Sequence, residues 1–322
     1  MSAAQRNYLA LTGGVGGAKL CLGFARELAP GQVAFVVNTG DDFEHLGLHI
    51  APDLDTLTYT LSGLSNPELG WGRRDETWNF IAAFGALGGE TWFNLGDADL
   101  AIHLRRTELL RSGLGLGEVT AQLAAALGIE HLMLPMSDDP VRTRVQTAAG
   151  ALAFQHYFVR DRCAPAVTGF DFAGAANARP HPGLLTRLAD PGLAAIFICP
   201  SNPFVSIDPI LAVPGVRDAL MTAPAPVIAV SPIVDGAAIK GPTAKMMREL
   251  SIPASAAAVA AHYAGLIDGF IIDERDAAVQ SEVEALGIAT TVAETVMVTL
   301  DDRIALARIA LDFGHRLNPG EP

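Results

Sequence analysis

Apolar and polar positions change period repeatedly along this chain, and each change marks an element. Residues 8–12 form a brief apolar run that ends in glycines, and at 18–28 the apolar residues fall at helical spacing. After Pro30-Gly31 a second apolar run, 33–38, completes a strand–helix–strand unit whose ligand edge lies at the strand C-termini. Residues 38–56 lose the period and gain Asp and His, which reads as a functional loop. Helical patterns follow at 77–87, 100–111 and 118–127. Short apolar runs at 131–134, 194–199, 227–230 and 269–272, each followed by turn residues, predict further strands. A last helix is expected over 301–313, opening on Asp301-Asp302, with Asn318-Pro319-Gly320 as a frayed tail. The alternation predicts an α/β protein with a doubly wound, mostly parallel, Rossmann-like sheet covered on both faces. One domain over 1–322 is expected, with helical inserts at 57–128 and 145–190.

Composition narrows the partners. Half of the 322 residues are apolar, so a sizeable core is possible, and the net charge of −13 disfavours a nucleic-acid backbone or an anionic membrane as the main partner. A small anion is not disfavoured, since helix N-termini, a few basic side chains and a bound cation can hold phosphate inside an acidic protein. Cys21, Cys163 and Cys199 are scattered and fit neither a disulfide framework nor a C-x-x-C metal site; they read as reduced core thiols. Met1 to Asn7 leaves no room for a signal-peptide apolar region, and no apolar run approaches the ~18 residues of a membrane span. A cytoplasmic protein is expected, with its oligomeric state open to a homodimer.

The candidate chemistry gathers at strand ends. Gly13-Gly14-Val15-Gly16-Gly17-Ala18-Lys19 stands between a strand and a helix, where glycines let backbone approach an anion and the helix presents free N–H groups. The spacing is not that of a P-loop, and a tight packing turn is the competing explanation. Asn38-Thr39-Gly40-Asp41-Asp42 and Pro52-Asp53-Leu54-Asp55-Thr56 supply carboxylates of the kind magnesium prefers, one or two per ion, although some of the four acids would serve equally as helix caps. Gly70 to Trp78 sets Trp71 and Trp78 beside Arg73 and Arg74, either a ring platform or core; Asn94-Leu95-Gly96-Asp97 leads towards His103. Arg142, in Met136 to Arg144, and Arg160, in Phe154 to Arg160, are phosphate partners or surface ion pairs. Pro200-Ser201-Asn202-Pro203 and Ser231 to Gly236 are polar turns on the same sheet edge.

Together these segments resemble the 2-phospho-L-lactate transferase family, which serves the synthesis of the deazaflavin redox coenzyme called factor 420. The specific parts are G-G-V-G-G-A-K-L, N-T-G-D-D, P-D-L-D-T, L-G-D-A-D, M-S-D-D-P-V-R-T, F-Q-H-Y-F-V-R, P-S-N-P and S-P-I-V-D-G, spread over nearly the whole chain. The resemblance implies a guanosine diphosphate-type donor whose terminal phosphorus bears lactate or a related three-carbon acid. The terminal ribityl hydroxyl of the deazaflavin Fo would attack it, GMP would leave, and magnesium would be required. It further implies Asp42 and Asp55 as catalytic acids, Asp42, Asp53 and Asp55 as metal ligands, and Asn94 at the deazaflavin. Gly13, Gly14, Gly16, Gly17, Lys19, Asn38, Thr39, Asp53, Asp97, Arg142, Ser201, Asn202, Ser231 and Gly236 would complete the substrate site. Family members often carry Thr where Val15 and Gly17 stand, so no hydroxyl contact is expected from this turn. A nucleotide-sugar-binding regulator of the same fold would lack the P-D-L-D-T and F-Q-H-Y-F-V-R runs. A dinucleotide-dependent oxidoreductase would need a third glycine at Lys19 and an acid closing the second strand, where Asn38 stands.

Overall fold

The computed structural model describes residues 6–67 and 71–318. Gly70 and the tail from Pro319 onward lie outside the described residues. Seven strands form one parallel sheet in the spatial order Ala289–Ala293, Gly269–Asp273, Val227–Val230, Leu193–Ile198, Asn7–Thr12, Val33–Val37, Leu132–Pro135. We call Asn7–Thr12 β1 and Val33–Val37 β2. Chain direction away from β1 reverses between β1 and Leu193–Ile198, so the loops after those two strands flank the crevice where such sheets bind ligands.

Alternation along β1 shows how the sheet is held. Leu9 and Leu11 enter one apolar core, and Tyr8 and Ala10 enter the other, on the opposite face. Helix α1 (Gly14–Glu27) and the C-terminal helix Leu300–Leu317 pack together on the second face. Gly23 makes this crossing close, because a Cβ there would run into the carbonyl of Arg303.

Two segments depart from the periodic reading. Residues 38–56 are not all loop: Phe43–His45 and Leu48–Ile50 make a hairpin, and α2 (Pro52–Leu61) begins inside P-D-L-D-T with Pro52 in its first turn. The hairpin turns on Leu46 at φ 54° and Gly47 at φ 72°, and its strands are too short to show a period. The region 145–190, expected as a helical insert, is mixed: Gly150–Ala153, Arg142–Thr147 and Val167–Ala173 form an antiparallel sheet, and His156–Arg160, Ala175–Asn177 and Pro182–Leu188 are short helical turns. The buried positions of Arg142–Thr147 are Thr143 and Val145, and with one apolar residue in six hydrophobicity did not reveal the strand. Residues 57–128 carry α2, α3 (Asn79–Ala86), α4 (Asp97–Arg111) and α5 (Leu116–Ala126).

Candidate active site

Helix α1 starts without a side-chain cap and without an acid in its first turn. The N–H of Gly14 donates to Asp53 Oδ1 at 2.8 Å. Gly14 has φ +65° and open space where a Cβ would stand, so it is chosen for its backbone. Its neighbours are chosen for packing. A Cβ on Gly13 would come within 2.6 Å of Asp53 Oδ2 and 2.7 Å of Ser206 Cβ. On Gly16 it would run into the carbonyl of Pro200, and on Gly17 into the hydroxyls of Thr12 and Ser201. Ser201 clamps the turn, its hydroxyl donating to Gly13 O at 2.8 Å and accepting the Gly13 N–H at 3.2 Å. Asn202 caps the next turn by accepting from Phe204 N at 3.0 Å. Packing therefore accounts for Gly13, Gly16 and Gly17, and a left-handed backbone accounts for Gly14. Lys19 reaches the far end of the same edge, donating from Nζ to Met297 O at 2.6 Å, and burial, followed by Arg303 and Lys240, lowers its pKa.

Below this turn lies a buried acidic cluster. Asn38 Nδ2 donates to Asp53 Oδ2 at 2.9 Å, to Asp41 Oδ1 at 3.1 Å and to Val205 O at 3.2 Å. Its Oδ1 accepts from Gly40 N at 2.8 Å, so one amide fixes the loop and joins two carboxylates. Burial pushes Asp53 up to about 6, tempered by the bonds from Asn38 and Gly14 and reinforced by Asp42. Burial and the neighbouring Asp53 also raise Asp41 well above the ordinary carboxylate range. Asp42 Oδ2 meets His49 Nε2 at 3.0 Å, while Asp42 Oδ1 is buried with no hydrogen-bond partner among the described residues. Thr39 Oγ1, His45 Nε2 and Thr143 Oγ1, on or against the same loop, are also buried without partners. Buried polar atoms are normally satisfied, so this concentration marks a place built for something further.

Asp55 is differently placed. Successive helix residues are ~100° apart, so Asp53 and Asp55 leave α2 in different directions. Both oxygens of Asp55 bind the buried guanidinium of Arg106, Nη1 at 3.1 Å from Oδ2 and Nη2 to Oδ1. Burial opposes the charge of Arg106, but Asp55 outweighs it and raises its pKa. His103 joins the pair, with Nδ1 at 3.6 Å from Asp55 and Nε2 at 3.1 Å from Asp99, whose Oδ1 accepts from Tyr59. Among the described residues no three His, Cys, Asp or Glu side chains are gathered as a metal-ion group, and Asp55, with both oxygens on Arg106, stands apart from Asp42 and Asp53 in its partners.

The remaining candidates separate. Asp97 clasps the start of α3, accepting from Thr77 Oγ1 at 2.7 Å, Asn79 Nδ2 at 2.9 Å and Phe80 N at 2.9 Å, which together hold it down to about 2. Arg142 Nη1 donates to Thr39 O at 3.4 Å, which brings the guanidinium to the acidic loop. Asn94 is exposed. Ser231 Oγ closes its own turn through Ile233 O at 2.8 Å, and Gly236 supplies φ +71°. Trp71 and Trp78 are 50% and 42% exposed, so neither is core. The sequence reading passed over His49 and Arg106. His49 stands three residues before P-D-L-D-T, and its proximity to the acids was the available signal.

The profile described as 2-phospho-L-lactate transferase CofD matches residues 9–308. The chain belongs to that transferase family. A relative named phosphoenolpyruvate transferase from Kitasatospora aureofaciens is 40% identical over 319 residues, 97% of this chain and 99% of its own. Another of the same name, from Streptomyces griseus, is 41% identical over 315 residues, 95% and 98% of the two chains. In fold, the family member resembles the crystal structure of a UPF0052-family protein from Bacillus halodurans, with a TM-score of 0.63 and 14% identity over 96% of this chain and 100% of that one. No helix among the described residues is long and apolar enough to cross a membrane.

Proposed function

We propose that this transferase moves an enolpyruvyl-phosphate group from a guanosine diphosphate-activated donor to the terminal ribityl hydroxyl of the deazaflavin Fo. The observation that carries the reading is the 40% identity, over 97% of the chain, to a phosphoenolpyruvate transferase. In this reaction the acceptor oxygen forms a bond to the phosphorus that bears the three-carbon acid. The bond from that phosphorus to the bridging oxygen breaks, GMP leaves with the bridging oxygen, and the hydroxyl proton goes to a carboxylate. No covalent enzyme intermediate is needed, because positioning and charge neutralisation dominate such transfers.

The residues suit those tasks. The first turn of α1 beyond Gly14, whose own N–H is taken by Asp53, and Arg142 would meet donor phosphates, with Ser201 and Asn202 shaping the turn that α1 packs on. The unpartnered Oδ1 of Asp42 and the neighbouring Asp53 fit a magnesium ion, which takes one or two protein carboxylates and fills its shell with substrate oxygens and water. When bound, the ion would neutralise charge on the donor's phosphates. Asp41, which Asn38 holds beside Asp53, would receive the hydroxyl proton in its ionised form. Asp55 holds Arg106 through both carboxylate oxygens, and the exposed Asn94 would face the acceptor.

The test follows GMP release with Fo, magnesium and the guanylylated enolpyruvyl donor. The proposal expects GMP to form only when Fo is present and in equal amount to Fo consumed. Release of GMP at the same rate without Fo would show a hydrolase instead.

A further inference from the structure

Helix α3 is apolar on every side yet is mostly uncovered. Its sequence is N-F-I-A-A-F-G-A, and Ile81 is its one buried side chain among the described residues. Ala82, Ala83 and Ala86 are exposed, Leu87 just beyond the helix is 88% exposed, and Trp78 just before it is 42% exposed. Trp71, in the segment leading in, is 50% exposed. Phe80 and Phe84 stack with their centroids 5.8 Å apart and 10° between planes, and both are half-buried. The helix is nonetheless held at its start, where Asp97 accepts from the N–H groups of Asn79 at 3.1 Å and Phe80 at 2.9 Å. The apolar surface is therefore presented in a fixed position.

A helix that is apolar all round belongs in an interior, and 8 residues are too few to hold a helix without packing. Contiguous exposed apolar surface on a folded chain marks a place that another body covers. Charge says which body. The chain carries −13, so two copies repel wherever their acids meet, whereas residues 77–89 contain no charged side chain. The flanks of that stretch are opposite in sign. Arg73, Arg74 and Asp75 precede it, two cations against one anion, while Glu76 is turned inward onto the N–H groups of Ala98 at 2.7 Å and Asp99 at 3.0 Å. Glu90 follows it and is exposed. Two such helices crossing antiparallel about a two-fold axis would bring the positive flank of each beside the negative flank of the other.

We propose that the exposed face of α3, with Trp71, Trp78 and Leu87, is the contact between two copies of this chain, paired antiparallel about a two-fold axis. Ala82, Ala83 and Ala86 let the two helices approach closely, and the large apolar side chains cover the joint. At the rim, Arg73 and Arg74 of each copy meet Glu90 of the partner subunit. A second copy is favoured over an unlike partner because pairing about a two-fold axis requires a face that complements itself, as this one does in charge. The pairing is independent of the donor and acceptor assignments.

The test measures molar mass by sedimentation equilibrium across a dilution series, with circular dichroism to follow the fold. Wild-type protein is expected to be a dimer in the micromolar range. Leu87→Glu and Ala83→Glu bring like charges together across the axis and should each weaken the dimer by about tenfold or more with an unchanged spectrum, both positions being exposed in the single chain. Met221→Glu, at a 58% exposed position on Val216–Met221, should leave the dimer as it is. Arg74→Glu and Glu90→Arg should each weaken the dimer several-fold, and the double variant should restore it, a recovery that misfolding cannot imitate. Wild-type protein that stays monomeric throughout the series would overturn the pairing. A dimer that survives both Leu87→Glu and Ala83→Glu would overturn the face, and charge reversals that do not restore each other would overturn the antiparallel arrangement.

Discussion

The N–H of Gly14 donates to Oδ1 of Asp53 at 2.8 Å, tying the first residue of α1 to the first turn of α2. Two helices that follow different strands thus share one hydrogen bond at the sheet edge, and the acid involved is itself held by Asn38. Changes at the glycine turn should therefore act in two distinguishable ways.

Gly14→Ala meets open space and loses only the comfort of a left-handed backbone, about 1–2 kcal/mol. Gly16→Ala drives a methyl group into the Pro200 carbonyl and should unfold the protein at a lower temperature than Gly14→Ala does. Melting curves of the two variants check the ranking. A Gly16 variant as stable as wild type would show that the turn after Leu193–Ile198 is free to move.

The pH dependence of the ion-free protein has a definite sign. Asp53 titrates near 6 when folded and near the ordinary carboxylate value, about 3.9, when unfolded, so between those values the folded state holds more protons. Stability from this group is fully present at the acid end of the window and is lost as pH rises through about 6; Asp41 acts in the same direction. Magnesium, which binds the ionised acids, should restore melting temperature most above that window. Scans with chelator and with magnesium across pH 4.5–7.5 test this, and a chelated protein that gains stability towards neutrality would contradict it.

Asp55 and Arg106 should behave as a buried pair. Asp55→Asn and Arg106→Met each leave an uncompensated charge, at a cost of about 3–5 kcal/mol, whereas replacing both with apolar residues should cost less than the sum. Denaturant titration of the four proteins measures the coupling. Additive losses would mean that the two side chains do not meet in solution.

Asp42 carries the clearest claim on the ion. Asp42→Asn should weaken manganese binding, read by electron paramagnetic resonance, by about tenfold or more, since a carboxylate ligand is lost from a site that has few. His49→Gln should weaken it less, because His49 touches only Oδ2. Equal manganese binding by wild type and Asp42→Asn would move the ion elsewhere.

How much of this was legible in sequence depended on whether a signal was local. β1, the glycine turn and β2 show in a continuous run because apolar strands of a parallel sheet are buried on both faces. The strand Ala289–Ala293 was missed, since A-T-T-V-A at the sheet edge is half polar and half exposed. The acids after β2 stood out by type and position. What could not be read was how they are shared: Arg106 meets Asp55 across 51 positions, and only the packing of α4 against the hairpin and α2 decides that Asp55 has a guanidinium for company. Trp92 and Phe93 likewise look like loop hydrophobics until His45 and His156 are brought to them from elsewhere in the chain.

The most direct test of the central claim is the mass of the deazaflavin product. The protein would be incubated with Fo, magnesium and equal amounts of the guanylylated enolpyruvyl and lactyl donors. The account predicts a new Fo phosphodiester that carries the enolpyruvyl acid, two hydrogens lighter than the lactyl product, as the main species. A product that is chiefly lactyl would contradict the assigned donor, and Fo recovered unchanged with both donors would contradict the transfer itself.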